Sequence, residues 1–329
     1  MHPLSPLMST NLVVPFHVIP SKEWFRTTLR MLGRFYSFIS AQELEQYLHG
    51  KTRFNSRCHL TFDDGDRTFL EHAFPILQKL GIPATLFVAP AVIERGTNYW
   101  FQEFTRARDH LGETAIKAAF CECFGCEYAQ IEPFSAMSLA LCLSHSDIRR
   151  LLDRLSLPPS PAVNVTVDEL RQIANSPGIC IGAHTLEHPV LANETDDRAG
   201  LEIRQSVRQL AELLGPPVRS FAYPNGNLGL DFGGRERRLL RECGIVWAAS
   251  MDPGFVSRAT DPLAVPRAGC PSLQGESPLR AALRLLLLPY SDRAKRVAPR
   301  RRRLTEAEER RALYASGILS RNQSAVVAS

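Results

Sequence analysis

The sequence predicts an α/β fold: a distorted (β/α) barrel of about seven parallel strands, with a mostly helical insertion and a basic C-terminal tail. Strand-like and helix-like segments alternate along much of the chain, which is typical of a parallel sheet. Six or more such units favour a closed or nearly closed barrel over an open sheet. The alternation breaks at about 99–161 and again after about 271, and these breaks predict the insertion and the tail.

The first part of the chain carries the clearest strand and helix signals. Strands are expected at 11–18, 59–62 and 84–88, and helices at 22–32, 41–48 and 68–80. The first strand is a β-branched run, and Ser40 can cap the second helix. The third helix has apolar residues at helical spacing and stops at Gly81.

The alternation resumes after the proline-rich segment LPPSPA at 157–162. Helices are expected at 167–174, 195–214 and 236–243, and strands at 179–183, 218–222 and 245–250. The helix at 195–214 is long and amphipathic, and Gly215 ends it.

We divide the chain into an N-terminal extension at 1–10, a barrel domain at 11–275 and a basic, helical or disordered tail at 276–329. The net charge of the chain is +5, yet from Arg280 onward 12 Lys and Arg face only 4 Asp and Glu. The arginine run at 300–303 is either a solvated segment or a contact for nucleic acid or anionic lipid. The solvated segment is the commoner case, so no nucleic-acid partner is expected.

The composition is that of an ordinary globular protein, with 44% hydrophobic and 22% charged residues. No secretory signal is recognisable, nor any run of the roughly 18–20 apolar residues that a transmembrane helix needs. We therefore expect a cytoplasmic protein with reduced cysteines. Cys121, Cys123 and Cys126 in the insertion are interpreted as ordinary thiols, because a structural zinc would need a fourth ligand, usually from a second cysteine pair.

Two adjacent carboxylates, Asp63 and Asp64, follow the strand at 59–62 in the segment LTFDDGD. The functional face of a parallel α/β fold lies at the carboxyl ends of its strands. Gly65 permits a sharp turn that can aim both acids at one cavity, where one could bind a metal and the other act as a base. An acidic surface turn is the alternative that this segment alone leaves open.

Two histidines, His184 and His188, follow the strand at 179–183. Their spacing would place both imidazoles on one face of a helical turn, and with one aspartate they would form a 2-His-1-carboxylate metal site.

A third segment, Tyr223-Pro224-Asn225-Gly226, has strong turn chemistry after the strand at 218–222. Its backbone N–H groups could donate to an oxyanion at the rim of such a site.

In this order, the three segments resemble the motifs of the polysaccharide deacetylases, the NodB-homology domain of carbohydrate esterase family four. The matches are TFDDG at 61–65, HTLEH at 184–188, and FAYPNG at 221–226, a variant familiar from deacetylases of exopolysaccharide-type amino sugars. The stretch at 248–269 also resembles the final strand and loop of that subgroup. The resemblance spans about 11–269.

The resemblance implies that Asp64, His184 and His188 hold one divalent metal ion, with Zn²⁺ expected first and Co²⁺, Ni²⁺ or Mn²⁺ as alternatives. Asp63 is then the general base that activates the attacking water, and the backbone N–H of Asn225 is an oxyanion donor. His17 matches a histidine near the end of the first strand, where a site role and a packed structural role are both open.

The chain departs from the family pattern at two positions that matter for chemistry. Ala222 stands where the third motif usually has an arginine that steadies the base, and we expect Arg267 to replace it by pairing with Asp63; a surface salt contact is the alternative. The family's Leu-x-His motif, which normally provides the general acid, is missing, because no histidine follows His188. The general acid is thus unassigned, with His17 as one candidate.

The resemblance implies metal-dependent hydrolysis of an N-acetyl group from an amino sugar or polysaccharide. The expected partner is an N-acetylated saccharide or amino-sugar conjugate, and the sequence does not indicate the oligomeric state. Two alternatives stay open: a related metal amidohydrolase acting on a small non-sugar amide or formyl group, and a catalytically weakened carbohydrate-binding domain that lacks the general acid.

Overall fold

The computed structural model describes residues 10–268 and 305–319. Eight strands lie within these ranges: β1 (Leu12–Phe16), β2 (Ser37–Phe38), β3 (Arg57–Phe62), β4 (Ala84–Val88), β5 (Ile179–Ala183), β6 (Ser220–Ala222), β7 (Trp247–Pro253) and β8 (Val265–Arg267). Seven of them follow one another in the order β1-β3-β4-β5-β6-β7-β8, and the short β2 pairs with β3. The pairings between these strands are parallel.

The sheet curls until its first and last strands come close to each other. The backbone N–H of Ala268, just after β8, donates to the carbonyl of Val13 in β1 at 2.8 Å. On the same side, the N–H of Val256 donates to the carbonyl of Asn11 at 2.9 Å. The result is a nearly closed barrel of seven parallel strands, which confirms the predicted fold class.

Helices connect the strands and cover the barrel. Those of the described residues are α1 (Lys22–Leu32), α2 (Ala41–Leu48), α3 (Phe74–Leu80), α4 (Pro90–Arg95), α5 (Trp100–Leu111), α6 (Glu113–Phe124), α7 (Tyr128–Ile131), α8 (Ala136–Ala140), α9 (His145–Leu155), α10 (Val167–Ala174), α11 (Asp196–Leu214), α12 (Gly234–Glu242) and α13 (Glu306–Ala315). Among these residues no helix combines the length and the apolar character needed to cross a membrane.

Local sequence explains several of the helix limits. Ser40 caps α2 as expected: its side chain accepts from the N–H of Glu43, and the Glu43 carboxylate accepts from the N–H of Ser40. The helix expected at 68–80 is not uniform, because a π-helical segment, Phe69–Ala73, precedes α3. Pro75 lies in the first turn of α3. Backbone N–H groups in a first turn make no intrahelical hydrogen bond, so proline is tolerated there.

Alternate residues of the strands pack on opposite faces of the barrel wall. Leu12 and Val14 of β1 join the buried cluster that contains Phe25 of α1, whereas Val13 joins a second cluster with Phe87 and Trp247. This alternation is the period of two that a β-strand imposes. The second cluster fills the barrel interior, so the strand ends, and not a central pore, are left to form a site.

The segment predicted as a helical insertion contains the five helices α5–α9, with their own apolar cluster. Leu313 of α13 is fully buried in that cluster, so this part of the predicted tail packs against the insertion and is not a solvated segment. Residues 276–304 and 320–329 of the predicted tail, including the arginine run, lie outside the described residues. The domain boundaries themselves stay a prediction.

Candidate active site

A cavity of about 300 Å³ lies at the carboxyl ends of the barrel strands. All seven residues that the sequence singles out line it: His17, Asp63, Asp64, His184, His188, Asn225 and Arg267. A larger cavity of about 560 Å³ lies at the opposite, amino ends of β5–β7. Only the first contains a converging set of metal-ligating side chains among the residues described, so we take it as the candidate site.

The turn after β3 directs Asp63 and Asp64 into the cavity. The N–H of Asp63 donates to the carbonyl of Phe16 at 2.9 Å, which extends the strand pairing up to the site. Asp64 then has a φ of 71°, in the left-handed region that a non-glycine residue seldom occupies. Gly65 follows with a φ of 69°, and a Cβ there would lie 3.0 Å from a Val88 methyl group. Glycine is therefore required for this turn.

Asp64, His184 and His188 each point one ligand atom at a common centre. The Nε2 atoms of His184 and His188 lie 3.6 and 3.4 Å from Oδ1 of Asp64. The three ligand atoms all lie within 4.8 Å of one another. The Nδ1–H of His184 donates to the carbonyl of Ala222 at 2.7 Å, which turns its Nε2 towards the same centre.

The two histidines converge through a loop and not through a helical turn, so that sequence prediction is wrong. Thr185 and His188 have φ values of 62° and 65°, which are incompatible with a helix. The Thr185 hydroxyl accepts from the N–H of His188 at 2.9 Å and closes the loop on itself. Helix α11 supports the same loop: its buried Glu202 accepts from the N–H groups of Leu186 and Glu187, each at 2.9 Å.

Burial sets the charge of the two imidazoles. It lowers the pKa of His184 to about 4 and lowers the pKa of His188 well below its usual value. Both rings are therefore neutral at neutral pH and keep a lone pair for a ligand. Burial, together with the neighbouring Asp63 carboxylate, raises the pKa of Asp64 well above its ordinary value. The ionised form of Asp64 is therefore costly by itself, and a bound cation would stabilise it.

Asp63 pairs with Arg267, as the sequence predicts. The Nη1 of Arg267 lies 2.8 Å from each carboxylate oxygen, and its Nε–H donates to the carbonyl of Ser250 at 2.8 Å. The two side chains are 2% and 1% exposed, so the pair is shielded from solvent. Although burial alone would raise the pKa of Asp63, Arg267, aided by His17 and His184, holds it well below the usual range.

His17 and Asn225 complete the predicted set. The Nε2 of His17 lies 3.6 Å from Oδ2 of Asp63, and its side chain is 49% exposed at the cavity mouth. Asn225 has a φ of 59° in the loop after β6, and Gly226 follows with a φ of 66°. A Cβ on Gly226 would lie 2.9 Å from the backbone N of Met251, so this loop also requires glycine.

Several lining residues were not identified from the sequence. Trp100 and Phe101 of α5 contribute one wall, and Trp100 Nε1–H donates to the carbonyl of His188 at 2.8 Å. Leu141 of the insertion and Glu306 of α13 reach the same cavity. No local pattern marks these residues, because only the packing of the insertion and of α13 brings them to the site.

The comparison with protein families agrees with this geometry. The family model described as polysaccharide deacetylase matches residues 51–246, more than half of the chain. The matched range contains all three motifs and the helical insertion. No sequence among the curated proteins matches the chain.

Solved deacetylase structures share the fold. The deacetylase PplD from Streptococcus pyogenes is 18% identical, with a TM-score of 0.57 over 84% of this chain and 99% of that one. IcaB from Ammonifex degensii is 20% identical, with a TM-score of 0.58 over 84% of this chain and 97% of that one. A de-N-acetylase from Aggregatibacter actinomycetemcomitans is 15% identical, with a TM-score of 0.54 over 83% of this chain and 99% of that one. These likenesses support the barrel fold alone.

The family assignment rests on the family model and confirms the resemblance read from the motifs. The narrower subgroup suggested by FAYPNG has no separate support and stays a prediction. From the matched range of 51–246, the chain belongs to the polysaccharide deacetylase family and is a hydrolase of that family.

Proposed function

We propose that the chain removes N-acetyl groups from an amino-sugar-containing saccharide, using one divalent metal ion held by Asp64, His184 and His188. The observation that carries the proposal is the convergence of these three ligand atoms within 4.8 Å of one another. Beside them, in the same cavity, lies a carboxylate that Arg267 keeps ionised. A metal site next to an ionised base is suited to the hydrolysis of an unactivated amide.

The donor set fits a divalent transition metal. Oδ1 of Asp64 is buried and has no hydrogen-bond partner among the described residues. Two neutral imidazoles and a carboxylate suit Zn²⁺, which we take first, with Co²⁺, Ni²⁺ and Mn²⁺ as alternatives. When bound, such an ion lowers the pKa of water and polarises a carbonyl oxygen.

The other residues of the site supply positioning and proton transfer. Asp63 takes a proton from the attacking water, and Arg267 keeps its carboxylate charged and oriented for that step. The backbone N–H of Asn225 donates to the oxygen that becomes negative, as in other oxyanion sites. Trp100 and Phe101 provide an apolar wall on which one face of a sugar ring can rest.

The substrate class is inferred from the family and from relatives of the same fold. One relative is described as a de-N-acetylase, and the structure of PplD is a complex with acetate, the second product of deacetylation. We therefore expect an N-acetylated saccharide or amino-sugar conjugate as the substrate of this chain.

The test is a substrate panel read by mass spectrometry. Purified protein is freed of metal, reloaded with Zn²⁺, Co²⁺, Ni²⁺ or Mn²⁺, and incubated with N-acetyl sugars of increasing chain length, small acetamides and N-formyl compounds. The expected result is metal-dependent replacement of acetyl by hydrogen on a sugar, which the Asp63→Asn variant does not produce. Hydrolysis confined to the non-sugar amides or formyl compounds, or sugar binding without acetate release, would contradict the proposal.

A further inference from the structure

Amide hydrolysis needs a proton donor as well as a base, because an amine is a poor leaving group until its nitrogen is protonated. No histidine follows His188 in the chain, so the family's usual donor is missing. Another group that lines the cavity can take its place.

Most of the proton-bearing side chains around the cavity are already committed. Asp64, His184 and His188 form the metal set, and Asp63 is held ionised by Arg267. The hydroxyl of Tyr223 donates to the carbonyl of Leu263 at 2.9 Å. Burial raises the pKa of Tyr223 well above its ordinary value, so it does not release a proton near neutral pH. Within the described residues, two titratable groups then remain, His17 and Glu306.

Glu306 is brought to the cavity by helix α13, and two sets of contacts fix that helix. Arg310 pairs with Asp231 at 2.7 Å, both side chains fully buried, in the loop that follows the third motif. Glu309 accepts from the N–H and the hydroxyl of Ser135 at 2.9 and 2.7 Å, in the insertion. The helix is thus attached to the barrel and to the insertion together, with its first residue at the site.

His17 is the less suitable donor because it lies on the side of the base. Its Nε2 is 3.6 Å from Asp63, so a proton on that ring interacts with the carboxylate that has to accept one. Glu306 comes from a different element, and no contact between it and Asp63 is observed. Desolvation raises the pKa of Glu306, as do Asp231 and Glu309, while Arg310 opposes them. A carboxyl with a raised pKa is suited to carry a proton.

We propose that Glu306 is the general acid of the proposed deacetylation, and that α13 forms part of the active-site wall. In this step the C–N bond of the tetrahedral intermediate breaks, and its electron pair stays on the nitrogen. The nitrogen takes the proton of the Glu306 carboxyl, which leaves a free amine, acetic acid and an ionised Glu306; the acetic acid then loses its proton to solvent and becomes acetate. The proton that Asp63 took from water passes to Glu306, directly or by exchange with solvent, which restores both carboxyl groups for the next cycle. The inference rests on the proposed function.

The test compares an amide with an ester that needs no general acid. The metal-loaded full chain is assayed on the best N-acetyl sugar of the panel and on an aryl acetate, whose phenolate leaves without a proton. Glu306→Gln removes the acid, and Glu308→Gln makes the same charge change two residues away while a glutamine can keep the capping box. We expect Glu306→Gln to lose about 10²-fold or more in kcat on the amide and to keep the ester activity within a few-fold. Glu308→Gln should match the wild type on both substrates.

The outcomes separate this inference from the proposed function. Two results would overturn the role of Glu306 while leaving the deacetylase proposal in place. One is that Glu306→Gln hydrolyses the amide as fast as the wild type does, and the other is that it loses activity equally on the amide and the ester. A wild-type protein that hydrolyses neither substrate with any metal would contradict the proposed function, and the inference would fall with it. Retained ester activity would also show that Glu306→Gln is folded and holds the metal.

Discussion

Asp63 and Asp64 are neighbours in the chain, yet the turn after β3 gives their carboxylates different partners. Asp63 faces a guanidinium, whereas Asp64 faces two neutral imidazoles. Burial raises the pKa of both carboxyls, but at Asp63 the Arg267 charge outweighs that effect, whereas at Asp64 the neighbouring Asp63 carboxylate adds to it. A pair of adjacent acids can therefore serve as base and ligand, provided that one of them adopts a left-handed φ.

The first prediction separates these two roles. Asp63→Asn should lower turnover by about 10²-fold or more, because an amide cannot accept the proton of water, and should leave the metal content nearly unchanged. Asp64→Asn should lose metal as well as turnover. Elemental analysis of the purified variants alongside the deacetylation assay decides between them. An empty metal site in Asp63→Asn would reverse the two assignments.

The second prediction concerns Arg267, whose planar fork a lysine cannot reproduce. Arg267→Lys should weaken the ion pair and raise the pKa of Asp63. Since the ionised carboxylate is the active form, activity would then be lost at a higher pH as the solution is acidified. The acidic limb of kcat/KM should move upward by about one pH unit, with a lower plateau. Arg258→Lys, an exposed change, is the control. An unchanged acidic limb would rule out Arg267 as the partner that lowers the pKa of Asp63.

At the scale of elements, the loop of the second motif depends on α11. Glu202 accepts two backbone N–H groups from that loop and pairs with Arg198 at 2.7 Å. Its side chain is fully buried, so it holds the His184–His188 loop from behind without reaching the cavity. The metal set is thus supported by a carboxylate that the motif itself does not contain.

The third prediction follows from this burial, which raises the pKa of Glu202 from 4.5 to about 7. A folded-state pKa above the unfolded value means that the contribution to stability is full below about pH 4.5 and is lost as the pH rises through about 7. Relative to Glu202→Gln, the wild type should therefore lose stability on the order of 3 kcal/mol between these limits. Urea unfolding from pH 5 to 8 measures the difference. The exposed Glu212→Gln should follow the wild type, and a flat difference for Glu202→Gln would contradict the shift.

The fourth prediction tests how α13 is held. Arg310→Met leaves the buried Asp231 without its partner and should cost about 3–5 kcal/mol of unfolding free energy. Adding Asp231→Asn should restore part of the loss, because that change removes the uncompensated charge and can keep the contact with Asn227. Arg311→Met, exposed on the same helix, should be nearly neutral. Equal stability of Arg310→Met and Arg311→Met would show that the ion pair does not anchor the helix.

At the scale of the whole molecule, local signals predicted most of the barrel and its motif residues. The alternation of strands and helices is a short-range pattern, and Asp64, His184 and His188 each follow a strand that the pattern marks. The loop between the two histidines was mistaken for a helical turn, because the left-handed Thr185 depends on hydrogen bonds that the spacing does not reveal. Glu306 could not be placed, since the chain between it and the barrel gives no indication of where α13 docks.

The central claim is that one divalent ion is held by Asp64, His184 and His188 in a cavity shared with an Arg267-paired base. Anomalous diffraction from crystals of the zinc-loaded protein, recorded at the zinc absorption edge, measures it directly. The account predicts one ion per chain, bound by all three side chains at about 2.0–2.2 Å. An ion bound elsewhere, or no ion at this centre in zinc-saturated crystals, would contradict it.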